Sequence, residues 1–288
     1  VIEKQAGKPR RQDLVLLDCL SERRLEKAYR QINGNLEKEF ESVQAPNHLY
    51  FLDRSRWFEI REQHFQRSRK RVFDANIQRS VQDLDRYYFL LRLRYTCAML
   101  NRQAIFQESY DLDIDGEWVR HLQRQQFFDT SIIDLYFTIF QALQNEANAG
   151  LFTEWKEKLG EVSPNIPVSD LKDIYLFAIN YCARKIRKGH KRYVPEALHL
   201  YQTGIEKGIL IEEGKLSPWA FTNVVKLALS LQRYQWIEHF ITRYAPILPE
   251  SFRDNALHYN LAELYYYTQR FDAAQEQLNQ VEFSDLNY

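Results

Sequence analysis

The sequence predicts an all-α protein, an α-α superhelix of stacked antiparallel helix pairs, and three observations support this fold class. Apolar residues recur at the three- and four-residue spacings of amphipathic helices along most of the 288 residues. Glycine (9) and proline (8) are scarce, so the chain should form long helices joined by few turns. In the last third of the chain a residue pattern recurs at a fixed interval, which is typical of stacked helical hairpins.

The charge balance argues against one class of protein, and the cysteine spacing indicates a cellular compartment. Lys and Arg (39) balance Asp and Glu (39), which argues against a dedicated nucleic-acid binder, since such proteins carry a strongly basic face. The three cysteines lie far apart, which fits a reducing compartment. The chain has no apolar run of roughly 18–20 residues and no signal-peptide core at its start. The sequence therefore predicts a cytoplasmic protein with no membrane partner.

Residues 1–160 are predicted to form a helical N-terminal segment of degenerate helix pairs. A first helix from about 13 to 32 should stop at Asn33-Gly34, because glycine tolerates the left-handed conformation that closes a helix. Asp129 or Thr130 should cap the helix predicted at about 130–145. Gly160–Pro167, with one glycine and two prolines, is the predicted boundary between the two parts of the chain. The further helices of this segment are predicted at about 47–65, 74–107, 117–127, 130–145 and 149–159.

The helix predicted at 74–107 carries a long apolar stripe. Its members recur at spacings of three, four and seven, which indicates one apolar face of an amphipathic helix. They are Ile77, Val81, Leu84, Tyr88, Leu91, Tyr95, Ala98 and Ile105.

Residues 166–288 are predicted to form three helix pairs, at about 169–208, 217–245 and 250–281. Ser217-Pro218 is a strong helix start, a capping serine followed by proline at the first helical position. Asn223-Val224-Val225 and Gln232-Arg233-Tyr234 recur 37 residues later as Asn260-Leu261-Ala262 and Gln269-Arg270-Phe271. The six helices are expected at about 169–188, 191–208, 217–231, 233–245, 250–268 and 270–281.

The last pair resembles a tetratricopeptide repeat. Leu261, Ala262 and Tyr265 stand at the first-helix sites of that family, and Phe271, Ala274 and Leu278 at its second-helix sites. Neither of the last two pairs has the early Trp of the family, and 37 residues exceed its usual 34. The whole segment is also similar to uncharacterised bacterial proteins with divergent repeats of this kind. The resemblance implies a scaffold that binds other proteins and implies no chemistry.

The final residues, 281–288, have the pattern of a segment that leads into a further helix. Solenoids normally end in a polar capping helix that shields their last apolar face. The sequence therefore favours a natural protein that continues beyond Tyr288.

A partner protein or peptide is expected on the first helix of each pair. Asparagine recurs there, and its amide can bond a peptide backbone as both donor and acceptor. An equally weighted alternative is structural, since the same asparagines could bond neighbouring helices. The candidate partner-binding residues are Asn180, Asn223, Lys226, Asn260 and Glu263.

Anion or nucleic-acid binding is the alternative function, and it would use two basic runs at 67–71 and 184–192. The second run lies at a predicted helix end, where cations also complement the helix dipole. Its candidate anion-binding residues are Arg184, Lys185, Arg187, Lys188, Lys191 and Arg192.

Metal and catalytic motifs are weak or lacking in the sequence. Asp111, Asp113, Asp115 and Gly116 have the spacing of half an EF-hand loop, but the twelfth position is Leu122 and not Glu. An acidic loop that caps the next helix is the favoured interpretation. No zinc, nucleotide or hydrolase signature occurs in the sequence, which predicts no catalytic residue, no metal and no cofactor.

Overall fold

The computed structural model describes residues 3–44, 46–67, 73–106, 110, 112, 116–124 and 131–282. It is 82% helical, which confirms the predicted all-α fold, and adjacent helices pack in a way that is compatible with a helical superhelix. The chain divides into two compact units, Val1–Pro167 and Val168–Tyr288. They are called unit 1 and unit 2 below.

Unit 1 consists of seven helices within the described residues. The largest contacts are those of α3 with α4, of α4 with α6, and of α6 with α7. Helix α6 lies at the centre of the unit, since ten of its fourteen residues are buried. The helices are α1 (Glu3–Glu22), α2 (Glu26–Ser42), α3 (His48–Arg67), α4 (Asn76–Phe106), α5 (Gly116–Arg124), α6 (Ser131–Gln144) and α7 (Ala149–Val162).

The first helix does not stop at Asn33-Gly34, so that prediction is wrong. The break comes earlier, where Arg24 takes a left-handed φ of 56°, and α2 runs through both predicted stop residues. Asn33 instead joins α2 to α3, because its Oδ1 accepts a hydrogen bond from Trp57 Nε1 at 2.9 Å. Burial of one face of α2 outweighs the weak helix propensity of Gly34, which costs about 1 kcal/mol. The buried residues of this face are Tyr29, Leu36 and Phe40.

Helix α4 forms close to its predicted bounds, but its apolar stripe faces outward. The stripe residues Ile77, Val81, Leu84, Tyr88, Tyr95 and Ile105 are all exposed. The opposite face is the buried one, and it mixes apolar side chains such as Leu93 and Cys97 with polar ones. Two of the polar side chains have partners on α3: Ser80 bonds Ser55, with 3.0 Å between the two Oγ atoms, and Asp83 pairs with Arg54.

Within its described residues, 168–282, unit 2 has six α-helices and one β-hairpin. Every predicted helix end in this unit lies within three residues of the observed one. Helix α10 contacts α9, α11 and α12, and α12 contacts α13, so that successive pairs stack along the chain. The helices are α8 (Val168–Arg187), α9 (Tyr193–Glu206), α10 (Pro218–Ser230), α11 (Tyr234–Tyr244), α12 (Glu250–Tyr267) and α13 (Phe271–Leu278).

The β-hairpin was not predicted from the sequence. Strands β1 (Ile211–Glu212) and β2 (Lys215–Leu216) pair antiparallel across a two-residue turn. Both turn residues have positive φ, 50° at Glu213 and 77° at Gly214, which is the type I′ pattern of tight hairpins. Glu212 forms an ion pair with Lys172 of α8, so the hairpin is tied to that helix.

The turns between paired helices share one backbone geometry. In each, a left-handed residue donates its N–H to the carbonyl three residues back, and the next residue donates to the carbonyl five residues back. This is the Schellman arrangement that closes a helix. The left-handed residues in unit 2 are Gly189 (φ 86°), Gln232 (57°) and Gln269 (60°). Arg24 occupies the same position between α1 and α2 in unit 1.

Candidate functional site

Three of the five predicted partner-binding residues lie together where α10 packs against α12. Asn223 and Lys226 are exposed one turn apart on α10, and Glu263 is half-buried on α12. Residues three apart on a helix share a face, so the two α10 side chains point to the same side. Two tyrosines complete the group, which is called the polar cluster here. Its members are Tyr201, Asn223, Lys226, Tyr259 and Glu263.

The polar cluster is connected by short contacts between helices. The Lys226 ammonium lies 5.6 Å from the centroid of the Tyr259 ring, a cation–π distance. The Tyr259 hydroxyl donates to Glu263 Oε1 at 3.2 Å, across one turn of α12. Asn223 Nδ2 donates to the hydroxyl of Tyr201, a buried residue of α9, also at 3.2 Å. The cluster thus joins side chains from α9, α10 and α12.

Glu263 is the electrostatic centre of the polar cluster. Burial raises the pKa of its carboxyl, opposed by the nearby Lys226 charge and by the Tyr259 hydrogen bond. Its Oε2 atom is buried and has no hydrogen-bond partner among the described residues. A carboxylate oxygen without a donor is costly to bury in its charged form, so the surroundings of Oε2 favour the protonated form of Glu263. Burial also raises the pKa of Tyr259, and the Glu263 charge adds to that effect.

Asn260 has a structural position, which corrects its prediction as a partner-binding residue. Its side chain is 0% exposed, because it lies inside the α10–α12 contact and not on its surface. Nδ2 donates to Ala256 O at 2.7 Å and to Thr222 Oγ1 at 3.2 Å. The structural alternative therefore describes this asparagine. Asn180 is half-buried on α8, outside the polar cluster.

The basic run at 184–192 does not form one cationic surface. Arg184 and Lys185 are each only 7% exposed, so their prediction as anion-binding residues is wrong. Both pack near the ring of Tyr181, at 5.8 and 5.3 Å from its centroid, because they lie on the inner face of α8. The exposed cations of the run surround the α8–α9 turn. They are Arg187, Lys188, Lys191 and Arg192.

The remaining site predictions fall largely outside the described residues. Of the run 67–71, only Arg67 is described, and it donates to Ser21 Oγ at 2.7 Å. Asp111, Asp113 and Asp115 of the acidic loop and the capping candidates Asp129 and Thr130 are not described. Within the described part of the chain, no three His, Cys, Asp or Glu side chains gather as metal ligands would. None of the helices described there has both the length and the apolar character needed to cross a membrane.

Sequence reasoning missed the two tyrosines of the polar cluster. Tyr259 could have been found, since it stands four residues before Glu263 and such pairs meet on a helix. No sequence pattern pointed to Tyr201, because its contact with Asn223 depends on how α9 packs against α10. No family model, curated protein or solved structure matches the chain.

Proposed function

We propose that the protein is a non-catalytic scaffold that binds a peptide or helix of another protein on the first helices of unit 2. In this proposal unit 2 is a stack of tetratricopeptide-like helix pairs. The turns at Gln232 and Gln269, 37 residues apart with the same hydrogen bonds, support repeating pairs. The buried Ala262 and Ala274 support the resemblance, whereas Phe271 and Leu278 are exposed.

The observation that carries the proposal is the polar cluster itself. Lys226 and Asn223 offer donors on an exposed face, and the half-buried Glu263 places a carboxylate beside them. A peptide backbone presents both donors and acceptors, and a mixed set of this kind can bond it along its length. The aromatic ring of Tyr259 between the two charges adds a surface on which an apolar side chain can pack.

Affinity capture tests the scaffold proposal. The full chain is immobilised, and proteins captured from a lysate of its source organism are quantified by mass spectrometry. We expect a specific partner whose capture falls about fivefold or more with Asn223→Ala or Lys226→Ala, since central interface side chains each contribute more than about 1 kcal/mol. Lys207→Ala, at the exposed end of α9, is the matched control and should leave capture unchanged.

Two results would contradict the proposal. One is a partner captured equally by the wild type and by both cluster variants. The other is salt-sensitive retardation of RNA or DNA in a gel, abolished by removing Arg187, Lys188, Lys191 and Arg192, which would favour the alternative function.

A further inference from the structure

The exposed face of α4 has the spacing of a coiled-coil seam. The seam begins at Ile77, ends at Ile105 and includes Arg102. The intervals between its successive positions alternate strictly between four and three residues. Nine positions over four heptads follow this pattern, and they extend for about 42 Å along the helix. Such a pattern marks a helix face that packs along the length of another helix.

Six of the eight stripe residues are exposed although they are large and apolar, and Leu91 and Ala98 are half-buried. The six exposed side chains retain between 43% and 62% of their full exposure. Phe73 and Phe106, next to the two ends of the seam, are exposed as well. Monomeric proteins rarely leave a contiguous apolar strip of this length on the surface, because burying it is favourable.

We propose that this seam is a homodimer interface, in which α4 pairs antiparallel with α4 of a second copy. The two-fold axis passes between Phe89 and Leu90, so that Tyr88 faces Leu91 of the partner subunit. The same register sets Leu84 against Tyr95 of the partner subunit and Val81 against Ala98 of the partner subunit. Each layer then combines a larger with a smaller side chain, as interdigitating cores require.

Charges beside the seam favour a second copy as the occupant. Asp85 and Arg92 lie beside the seam one heptad apart, and both line a shallow pocket with Trp118 and His121 of α5. In the antiparallel register, Asp85 lies opposite Arg92 of the partner subunit, and symmetry repeats the pair, so the surface is complementary to itself. Arg92 is held in place by stacking at 5.0 Å on Trp118 of α5.

A parallel pairing of the two α4 helices would lack this complementarity of side-chain size and charge. Arg102 would then face Arg102 of the partner subunit inside the seam, a like-charge contact. In the antiparallel register it faces Ile77 of the partner subunit, where its aliphatic stem can pack. Asp85 would lie opposite Ser80 of the partner subunit in the parallel case, and no charge pair would form.

Sedimentation of the full chain measures the oligomeric state. We expect a mass near 69 kDa, twice the 34.6 kDa of the chain. Leu84→Glu places a carboxylate in an apolar layer and should raise the dissociation constant at least about tenfold. Gln82→Glu, exposed on α4 outside the seam, should leave the dimer intact. Because Leu84 is already exposed, circular dichroism should show that the variant remains folded.

A charge exchange tests the register. Asp85→Arg alone should weaken the dimer, because it sets two arginines opposite each other. Adding Arg92→Asp should restore it. Rescue is expected only for the antiparallel pairing, where the two positions face each other.

Engineered cysteines test the same register covalently. In a Cys19→Ser background, Val81→Cys combined with Ala98→Cys should give a disulfide-linked dimer on a non-reducing gel. Val81→Cys alone should give none, since the two copies of that position lie 17 residues, about 26 Å, apart in the antiparallel dimer. A monomer at all concentrations, a dimer indifferent to Leu84→Glu, or cross-linking by Val81→Cys alone would each overturn the proposal.

Discussion

Glu263 combines partial burial with a nearby lysine, and this makes its ionisation a measurable property of unit 2. Its pKa is raised from 4.5, with burial as the main cause, so the folded state binds the proton more tightly than the unfolded state. The contribution of this group to stability is therefore fully present below pH 4.5. It is lost as the pH rises through the folded pKa.

Glu263→Gln should remove this pH dependence. The variant and the wild type should have similar free energies of unfolding at pH 4. The variant should then become the more stable of the two as the pH approaches 7, because Gln cannot ionise. Urea unfolding at several pH values measures the difference. Glu276→Gln, exposed on α13, is the control. A difference that stays constant with pH would contradict the burial of this carboxylate.

At the scale of elements, α3 and α4 are joined by a bidentate ion pair. Arg54 donates from Nε to Asp83 Oδ2 and from Nη2 to Asp83 Oδ1, both at 2.6 Å. The Asp83 side chain is 1% exposed, so its charge depends on these bonds. Arg54 also donates to the Tyr50 hydroxyl at 2.8 Å, which fixes its orientation.

Asp83→Asn should lower the free energy of unfolding by about 1.5–3 kcal/mol, the range for hydrogen bonds to charged groups. The substitution keeps the shape of the side chain but leaves the Arg54 charge without its counterion. Glu59→Gln breaks the exposed pair with Arg56 and should cost less than about 1 kcal/mol. Chemical denaturation of both variants gives the comparison. Equal small losses would show that the buried pair contributes no more than a surface pair.

Helix existence could be predicted from local patterns, but the face that α4 buries could not. The stripe of α4 had the expected spacing, and the structure buries the opposite face, because Ser80 and Asp83 find partners on α3. The same limit applies to Asn223 and Asn260, which stand at one register of the repeat. One is exposed and the other buried, since only packing between α10 and α12 decides which amide is enclosed.

For the molecule as a whole, one buried thiol lies in each unit and a third is exposed. Cys97 in unit 1 and Cys182 in unit 2 are both 0% exposed, whereas Cys19 is exposed. Burial raises the pKa of the Cys97 thiol, which makes it still less reactive. Labelling of each buried cysteine therefore reports the unfolding of its own unit.

Thiol labelling in increasing urea should separate the two units. Only Cys19 should react in the native protein. We expect Asp83→Asn to lower the urea concentration at which Cys97 becomes labelled and to leave that of Cys182 unchanged, because each compact unit has its own core. Peptide mapping by mass spectrometry assigns the labels. An equal shift at both cysteines would show that the two units unfold as one body.

The recurring turn has a consequence for the genetic history of such a chain. Gln232 and Gln269 have the same backbone conformation and are each followed by arginine. Deletion of residues 233–269 would join Gln232 directly to Arg270. The new junction would then have the same Gln-Arg turn that now follows α10 and α12. A single unequal recombination event can therefore shorten or lengthen the gene by one helix pair, while the turn between the helices stays the same. A homologous gene that has lost or gained this helix pair should accordingly differ in length by 37 codons.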